Sequence, residues 1–417
     1  MLEFQRVVLL VLDGVGCGAL PDAEMFDDQG ANTLEHISTA AGPLNLPTLE
    51  RMGLGNITSI AGVPPCAKPQ AAWGRMAERS AAKDSTTGHW EVAGVVMPEP
   101  FRVYADGFPP EIVRSFTRIA GTEPLGNIPA SGTEIIQHLG PEHVRSGRPI
   151  VYTSTDSVFQ IAAHEDVIPV ERLYDICTRM RDVLDAYRVG RVIARPFIGN
   201  EQEGYVRTGR RRDFSMPPPQ PTMLDMLQEH NIEVGAVGKI SDIFCGRGIG
   251  SHVSTASNAE GMKATQALLH QIERGLLFTN LIDFDMMYGH RRDSAGFAAA
   301  LQELDSWLAE FLPRLRDTDL LIITADHGCD PAMSGTDHTR EYVPLLVYTP
   351  RIRKGTDLGT RTSFADIGAT ILQNFTLRGS MGTSFLEQLS AVSELPRKQA
   401  AVQEASTGLS PDITHSK

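Results

Sequence analysis

At 417 residues the chain exceeds what one ordinary hydrophobic core supports, so one large domain with a second or inserted one is expected. Hydrophobic residues make up 41% and charged residues 21%, the balance of a globular protein able to bury a sizeable core. The net charge of -13 argues against general nucleic-acid binding, which wants a basic face, yet leaves room for an anionic small molecule held by a few local cations or metal ions.

The N-terminal stretch MLEFQRVVLLVLDG carries an apolar run that ends in Asp13 without a small-residue cleavage site. It reads as a buried strand rather than a secretory leader. No apolar run reaches the length of a membrane span. Continuous apolar runs at Val7–Leu12, Ile232–Val237, Leu276–Ile282, Leu320–Thr324 and Pro344–Tyr348 have the texture of strands buried on both faces. After Gly296, residues Phe297, Leu301, Leu304, Leu308 and Phe311 recur at threes and fours, one helix face that Pro313 ends. Strands alternating with helices imply an α/β fold with a mostly parallel sheet flanked by helices, and such sheets form their sites beyond the carboxyl ends of the strands.

Between these runs the segment 101–216 differs in texture, being rich in Gly, Pro and Thr and carrying the basic run Arg207-Thr208-Gly209-Arg210-Arg211-Arg212. With PPPQP at 217–221 as a linker, it reads as an inserted α/β domain, and 1–100 with 217–391 as a discontinuous core. A run of arginines is by itself a solvated face. Residues 392–417 form a polar tail. Five scattered cysteines without CxxC spacing suit reduced thiols in the cytoplasm. The oligomeric state is left open.

Carboxylates follow three of the apolar runs. Asp13 ends the first, Asp283 and Asp285 end LLFTNLIDFD, and Asp326 ends LLIITAD. Any one of them is as readily a turn former or helix cap. Asp285 and His290 stand five residues apart, however, Asp326 is followed directly by His327, and His338 lies in TDHTRE. With Asp13 this makes three carboxylates and three imidazoles on strand ends or the loops after them. Mixed oxygen and nitrogen donors suit Mn²⁺, Zn²⁺ or Fe, and six of them suffice for two ions, the arrangement that stabilises both oxygens of a phosphoryl transfer. The segment Lys83-Asp84-Ser85-Thr86-Thr87-Gly88-His89 adds three adjacent hydroxyls between an acid and a Gly-His pair. The segment alone does not say which of them is a nucleophile.

The stretches VLDGVGCGALPDAEMF (11–26), KDSTTGHWE (83–91), PASGTEII (129–136), IVYTSTDSVFQIAAHE (150–165), GRVIARPFIG (190–199), GKISDIF (238–244), NLIDFDMMYGHRRD (280–293), LLIITADHG (320–328) and GTDHTREYVPLL (335–346) carry a resemblance. In type and order they resemble the bacterial phosphopentomutase family of the alkaline phosphatase superfamily. That resemblance implies an alkaline-phosphatase-like core with a cap inserted at 101–216. It implies one Mn²⁺ on Asp285, His290 and His338 and a second on Asp13, Asp326 and His327, with a nucleophilic hydroxyl reaching the metals. The family's nucleophile directly follows an Asp and stands four positions before the His, which selects Ser85. Thr86 and Thr87 would shape the turn, Thr87 with a possible contact to phosphate. Ser154, Asp156 and Arg191 match substrate-facing segments of the cap and Lys239 one of the core, with Arg195 and Arg211 as further substrate contacts.

The activity implied is interconversion of (deoxy)ribose 1-phosphate and (deoxy)ribose 5-phosphate through a phosphoserine and a sugar 1,5-bisphosphate, with a sugar bisphosphate as activator. The chain departs from the family's pattern at Ser85, where threonine is usual, at Asp13-Gly14, where Asp-Ser is usual, and at Arg212 in place of a histidine. These departures keep two alternatives in view: a two-metal phosphatase or phosphodiesterase, and a mutase acting on another phosphosugar.

Overall fold

The computed structural model describes residues 3–390 apart from positions 155 and 353; the tail expected at 392–417 lies outside the described residues. The strands, in chain order, are β1 (Arg6–Leu12), β2 (Ala72–Met76), β3 (Leu125–Pro129), β4 (Ile150–Thr153), β5 (Val158–His164), β6 (Arg191–Asn200), β7 (Gly204–Arg207), β8 (Arg212–Ser215), β9 (Glu233–Val237), β10 (Ser251–Val253), β11 (Gly275–Leu281), β12 (Asp319–Thr324), β13 (Val343–Tyr348) and β14 (Asp357–Arg361).

Eight of them form one sheet in the order β10-β9-β11-β1-β12-β13-β2-β14. From β10 to β12 all pairings are parallel. Branched aliphatic side chains fill both faces of its centre, and every residue of β1, β11 and β12 is buried. The pairing then reverses: β13 runs antiparallel to both β12 and β2. Pro344 is tolerated inside β13 because its ladder with β12 stops at Leu346, so no hydrogen bond on that side needs the missing N–H.

The helix Ser294–Phe311 buries Phe297, Leu301, Leu304, Leu308 and Phe311, and a tight turn containing Pro313 ends it. Its start is capped by Asp293, whose side chain accepts from Gly296 N–H.

Register is what positions the site. In the parallel centre Leu12 lies opposite Leu281 and Val11 opposite Thr324, so the chains leave β11, β1 and β12 at one level. Asp13, Asp285 and Asp326 are therefore delivered to a single edge.

The second sheet has the order β3-β4-β5-β6-β7, with β8 also paired to β6, and is mixed in direction. Each of its faces has a core of its own. Phe108, Phe116, Phe159 and Met180 pack on one side, and Ile136, Tyr152, Phe197 and Tyr205 on the other. Neither merges with the apolar cluster of the eight-stranded sheet.

Candidate active site

The hydroxyl segment resolves into a capped helix start. Asp84 stands in extended conformation before the helix Ser85–Val92, and its side chain accepts from Thr86 N–H and Thr87 N–H. Thr87 is buried and its hydroxyl meets both the carbonyl and the side chain of Asp84. Thr87 thus completes the cap. Ser85, the first helical residue, points its Oγ elsewhere, 3.0 Å from His327 Nε2 and 3.4 Å from Asp13 Oδ1.

The Gly-His pair is explained by packing. A Cβ at Gly88 would collide with the carbonyl of Asp326, so the helix seats directly on that loop. His89 is fully buried, its Nδ1 2.8 Å from the Ser85 carbonyl and 3.1 Å from Asp326 Oδ2. It binds the Ser85 carbonyl and lies beside a metal-ligand candidate. Glu91, also buried, anchors the same helix by accepting from Arg79 N–H, Ser80 N–H and the hydroxyls of Ser80 and Ser363.

Around Ser85 the six expected donors converge. His327 Nε2 lies 3.3 Å from Asp13 Oδ1 and 3.4 Å from Asp326 Oδ2. Asp285, in the π-type turn Phe284–Gly289, has Oδ1 3.3 Å from Nε2 of both His290 and His338. The rings of His327 and His338 are 3.9 Å apart between centroids, which joins the two groups into one centre. Asp283, by contrast, is exchanging hydrogen bonds with Asn258 at the start of the helix Asn258–Leu269.

Three features show that this donor set fits divalent cations. Asp285 Oδ1, Asp326 Oδ2 and His338 Nε2 are buried without a hydrogen-bond partner among the described residues, a costly arrangement for acceptor atoms unless a cation takes them. The Nδ1 atoms of His290 and His327 face the carbonyls of Thr336 and Gly328 at 2.6 and 3.0 Å. A carbonyl only accepts, so Nδ1 carries a proton and Nε2 is the nitrogen turned inward, the one a cation takes in exchange for any proton there. Outer contacts then fix the carboxylates: Asn280 Nδ2 donates to Asp13 Oδ2 and Gly14 N–H to Asp326 Oδ1, each at 3.1 Å.

The electrostatics are mutual. Burial works to raise the pKa of Asp13, yet the hydrogen bond and charge of His327 hold it far below the usual carboxylate range. Burial likewise opposes charge on Asp285, which His338 and His327 nevertheless keep low. For His327 burial pulls downward, but Asp326 and Asp13 drive the imidazole well above its ordinary value.

Two neighbours of His338 hold the frame. Glu341 is fully buried and accepts from Gly18 N–H, Thr33 N–H and the hydroxyls of Thr33 and Thr339. A Cβ at Gly16 or Gly328 would collide with its carboxylate, which is why the loops after β1 and β12 carry glycine there. Arg340 donates to Glu78 and Asp22 and to the carbonyls of Ser80 and Ala82, pinning the loop that leads from β2 to Ser85.

Residues 5–378 match the family model of the Metalloenzyme superfamily. The phosphopentomutase of Syntrophotalea carbinolica is 59% identical over 93% of this chain and 99% of its own length. Those of Anaeromyxobacter sp. (strain K) and Caldanaerobacter subterraneus are 57% and 55% identical, each over 92% of this chain and over 99% and 98% of their own lengths. The chain belongs to the phosphopentomutase family. It is thereby a metal-binding isomerase of the phosphosugar mutase type.

For a phosphopentomutase-family chain the remaining question is where a sugar phosphate would be gripped. Lys239 follows β9 on the metal edge, Nζ 3.8 Å from Asp13 Oδ2. The other five expected contacts lie on the second sheet. Ser154 follows β4 and Asp156 precedes β5, with Asp156 N–H 3.4 Å from Ser154 Oγ. Arg191 opens β6, 3.8 Å from Asp213, and Arg211 makes a two-pronged pair with the same carboxylate at 2.7 Å. Arg195 donates to Gln160.

Sequence reasoning missed Arg207 and Tyr152 there. The Tyr152 hydroxyl is buried without a partner among the described residues, and a Cβ at Gly132 would collide with it and with the Arg207 guanidinium. Burial raises the Tyr152 pKa while the charges of Arg195, Arg207 and Arg211 pull it down, and the phenol and the Arg207 guanidinium meet at Gly132, the start of the helix Gly132–Ser146. The signal was in PASGTEII: a glycine where a helix begins, with no room for a side chain.

Proposed function

We propose that the chain interconverts ribose 1-phosphate and ribose 5-phosphate, and their 2-deoxy forms, by way of phosphorylated Ser85 and a sugar 1,5-bisphosphate. The observation that carries this reading is the Ser85 hydroxyl itself, aimed at His327 and Asp13 from a helix start that Asp84 and Thr87 fix. Two divalent cations, which we assign as Mn²⁺ on Asp13, Asp326, His327 and on Asp285, His290, His338, would supply the Lewis acidity that activates this hydroxyl and balances phosphoryl charge.

In the resting active form Ser85 carries the phosphoryl group, installed by a sugar bisphosphate activator. The bond from Ser85 Oγ to phosphorus breaks as the free sugar hydroxyl bonds to it, and in net balance the proton of that hydroxyl passes to the freed Ser85 Oγ, to return to the leaving sugar oxygen in the second transfer. The bisphosphate turns end for end, and its other phosphoryl group passes to Ser85 Oγ, so that one sugar monophosphate leaves and the enzyme is again phosphorylated. Lys239, beside Asp13, offsets charge on the phosphoryl oxygens.

In this reading residues 1–100 and 217–391 form the catalytic core and 101–216 a cap. Ser154 and Asp156 take the sugar hydroxyls, and Arg191, Arg195, Arg207 and Arg211 the phosphate remote from Ser85. The cap also keeps water away, because water reaching phosphorylated Ser85 would turn the mutase into a phosphatase. A cytoplasmic setting agrees with the free cysteines. No helix among the described residues is long and apolar enough to cross a membrane.

The test is direct. Protein loaded with Mn²⁺ and primed with a sugar bisphosphate is given ribose 5-phosphate, and ribose 1-phosphate and free phosphate are followed together. Ribose 1-phosphate is the expected product; release of phosphate as the main product overturns the mutase reading. Peptide mass spectrometry of the primed protein should find phosphate on Ser85, and phosphate on Thr86 or Thr87 instead would overturn the assignment.

A further inference from the structure

Cys329 follows the Asp326-His327-Gly328 triplet and is buried against the metal-ligand side chains. Its Sγ, a carboxylate oxygen of Asp285 and a ring nitrogen of His290 all lie within 4.8 Å of one another. Space for the thiol is made on both sides by glycine. A Cβ at Gly289 would collide with Sγ, and one at Gly14 would come 2.9 Å from the Cys329 Cβ. Gly14 also has φ +79, a conformation that suits glycine. A second observation points to a ligand: Asp285 is only 4% exposed, and its Oδ1, 3.3 Å from His290 Nε2, has no hydrogen-bond partner among the described residues.

We propose that Cys329 makes the Asp285–His290 position a cation site with two modes. A hard ion such as Mn²⁺ takes the oxygen and nitrogen donors and leaves the thiol beside Asp285 unligated. A thiophilic ion such as Zn²⁺ or Cd²⁺ draws in the sulfur as a further ligand. Softness of the donor decides between them, since thiolate adds little for Mn²⁺ and much for Zn²⁺. In the second mode the S–H bond breaks, a sulfur–metal bond forms and the proton leaves to solvent. Donors sharing one tetrahedral zinc stand roughly 3.5 Å apart given bonds of about 2.0 to 2.3 Å, so side-chain adjustment of about an ångström completes the site. The thiol therefore sets which metals this centre retains, and thiophilic ions would displace the hard ion from it.

This inference rests on reading the pocket as a divalent-cation centre, and Mn²⁺ binding to the wild-type protein, measured alongside, tests that reading separately. The experiment titrates metal-free wild type, Cys329→Ser and Cys329→Ala with Co²⁺, Zn²⁺ and Mn²⁺. Serine keeps a polar group of similar size but offers no soft donor; alanine offers neither. The wild type is expected to show a thiolate-to-cobalt charge-transfer absorption in the near ultraviolet that both variants lack. Zinc affinity should fall in both variants by at least about tenfold, the change that loss of an outer contact to a ligand already produces. Mn²⁺ affinity should be kept in Cys329→Ser. Absence of the thiolate band in cobalt-saturated wild type, or full zinc affinity in Cys329→Ser, would overturn the proposal. Should both variants fail to fold, X-ray absorption on the wild-type zinc form decides, because the proposal requires a sulfur neighbour at about 2.3 Å.

Discussion

At the carboxyl edge of the eight-stranded sheet the side chains of Asp13, Asp326 and His327 are fully buried, whereas on the second sheet Arg191 and Arg211 are 46% and 45% exposed. The first group is held by its own members and by backbone donors, 3.0 to 3.4 Å apart and rigidly framed by Glu341 and Arg340. The second leans on one shared carboxylate, Asp213, in contact with solvent. Buried charges of the first kind cannot lose a partner without a large penalty, while exposed pairs of the second kind contribute roughly 0–1 kcal/mol and exchange partners readily. A rigid centre suits chemistry on phosphorus, and an adaptable cationic face suits a sugar phosphate that must bind in both orientations.

The largest test of this division removes the proposed nucleophile without touching the frame. Ser85→Ala should lower mutase turnover by at least about 10⁴-fold, in line with losses seen when a nucleophile is deleted. Its melting temperature should stay close to the wild type's, because the cap is made by Asp84 and Thr87 rather than by the Ser85 hydroxyl. Residual turnover within tenfold of wild type would mean that another hydroxyl carries the phosphate.

How much of this was legible differs between the two regions for a physical reason. Asp13, Asp285 and Asp326 each end a continuous apolar run, so their place at strand ends could be read from pattern, and parallel register brings the ends level. Asn280 was not legible as a partner of Asp13, because it sits inside the apolar run of β11 and 267 residues away in sequence. The available signal was an amide in a strand buried on both faces, which must find a hydrogen bond. Glu341 and His89 act through contacts that only the folded chain creates.

On the second sheet the arginine run looked uniform in sequence. Folding sorts it: Arg210 meets Glu165, Arg211 meets Asp213, Arg212 stacks over Tyr174 and Phe214, and Arg207 turns toward Tyr152. Nothing in composition distinguishes these four fates, which depend on strand direction in β7 and β8.

Arg207→Ala sharpens the comparison from the cationic side. If the arginines grip the remote phosphate, KM for ribose 5-phosphate should rise about 10- to 30-fold, the equivalent of one charge-assisted hydrogen bond of about 1.5–2 kcal/mol. Affinity for Mn²⁺ should not change, since Arg207 belongs to the other sheet. A variant with weakened metal binding and an unchanged KM would show the two regions to be one unit and break the division drawn above.

The smallest effect concerns what holds the second sheet together. His143 is buried, with Nδ1 2.7 Å from the Arg148 carbonyl and Nε2 accepting from His164 N–H at 2.8 Å. Both contacts together require the neutral ring with its proton on Nδ1. Burial lowers its pKa in the folded chain, with the His164 charge acting the same way against the Arg148 hydrogen bond. The folded state thus binds fewer protons than the unfolded one, so this contribution is complete above the unfolded value of about 6.5 and is lost as pH falls through the depressed folded value. Melting temperature measured from pH 8 downward should fall below that point more steeply in wild type than in His143→Gln, where the titrating ring is gone and an amide can serve one of the two contacts. Identical pH profiles would show that acid first loosens the chain elsewhere. A steeper fall in the variant would reverse the sign of the linkage and remove His143 as its source.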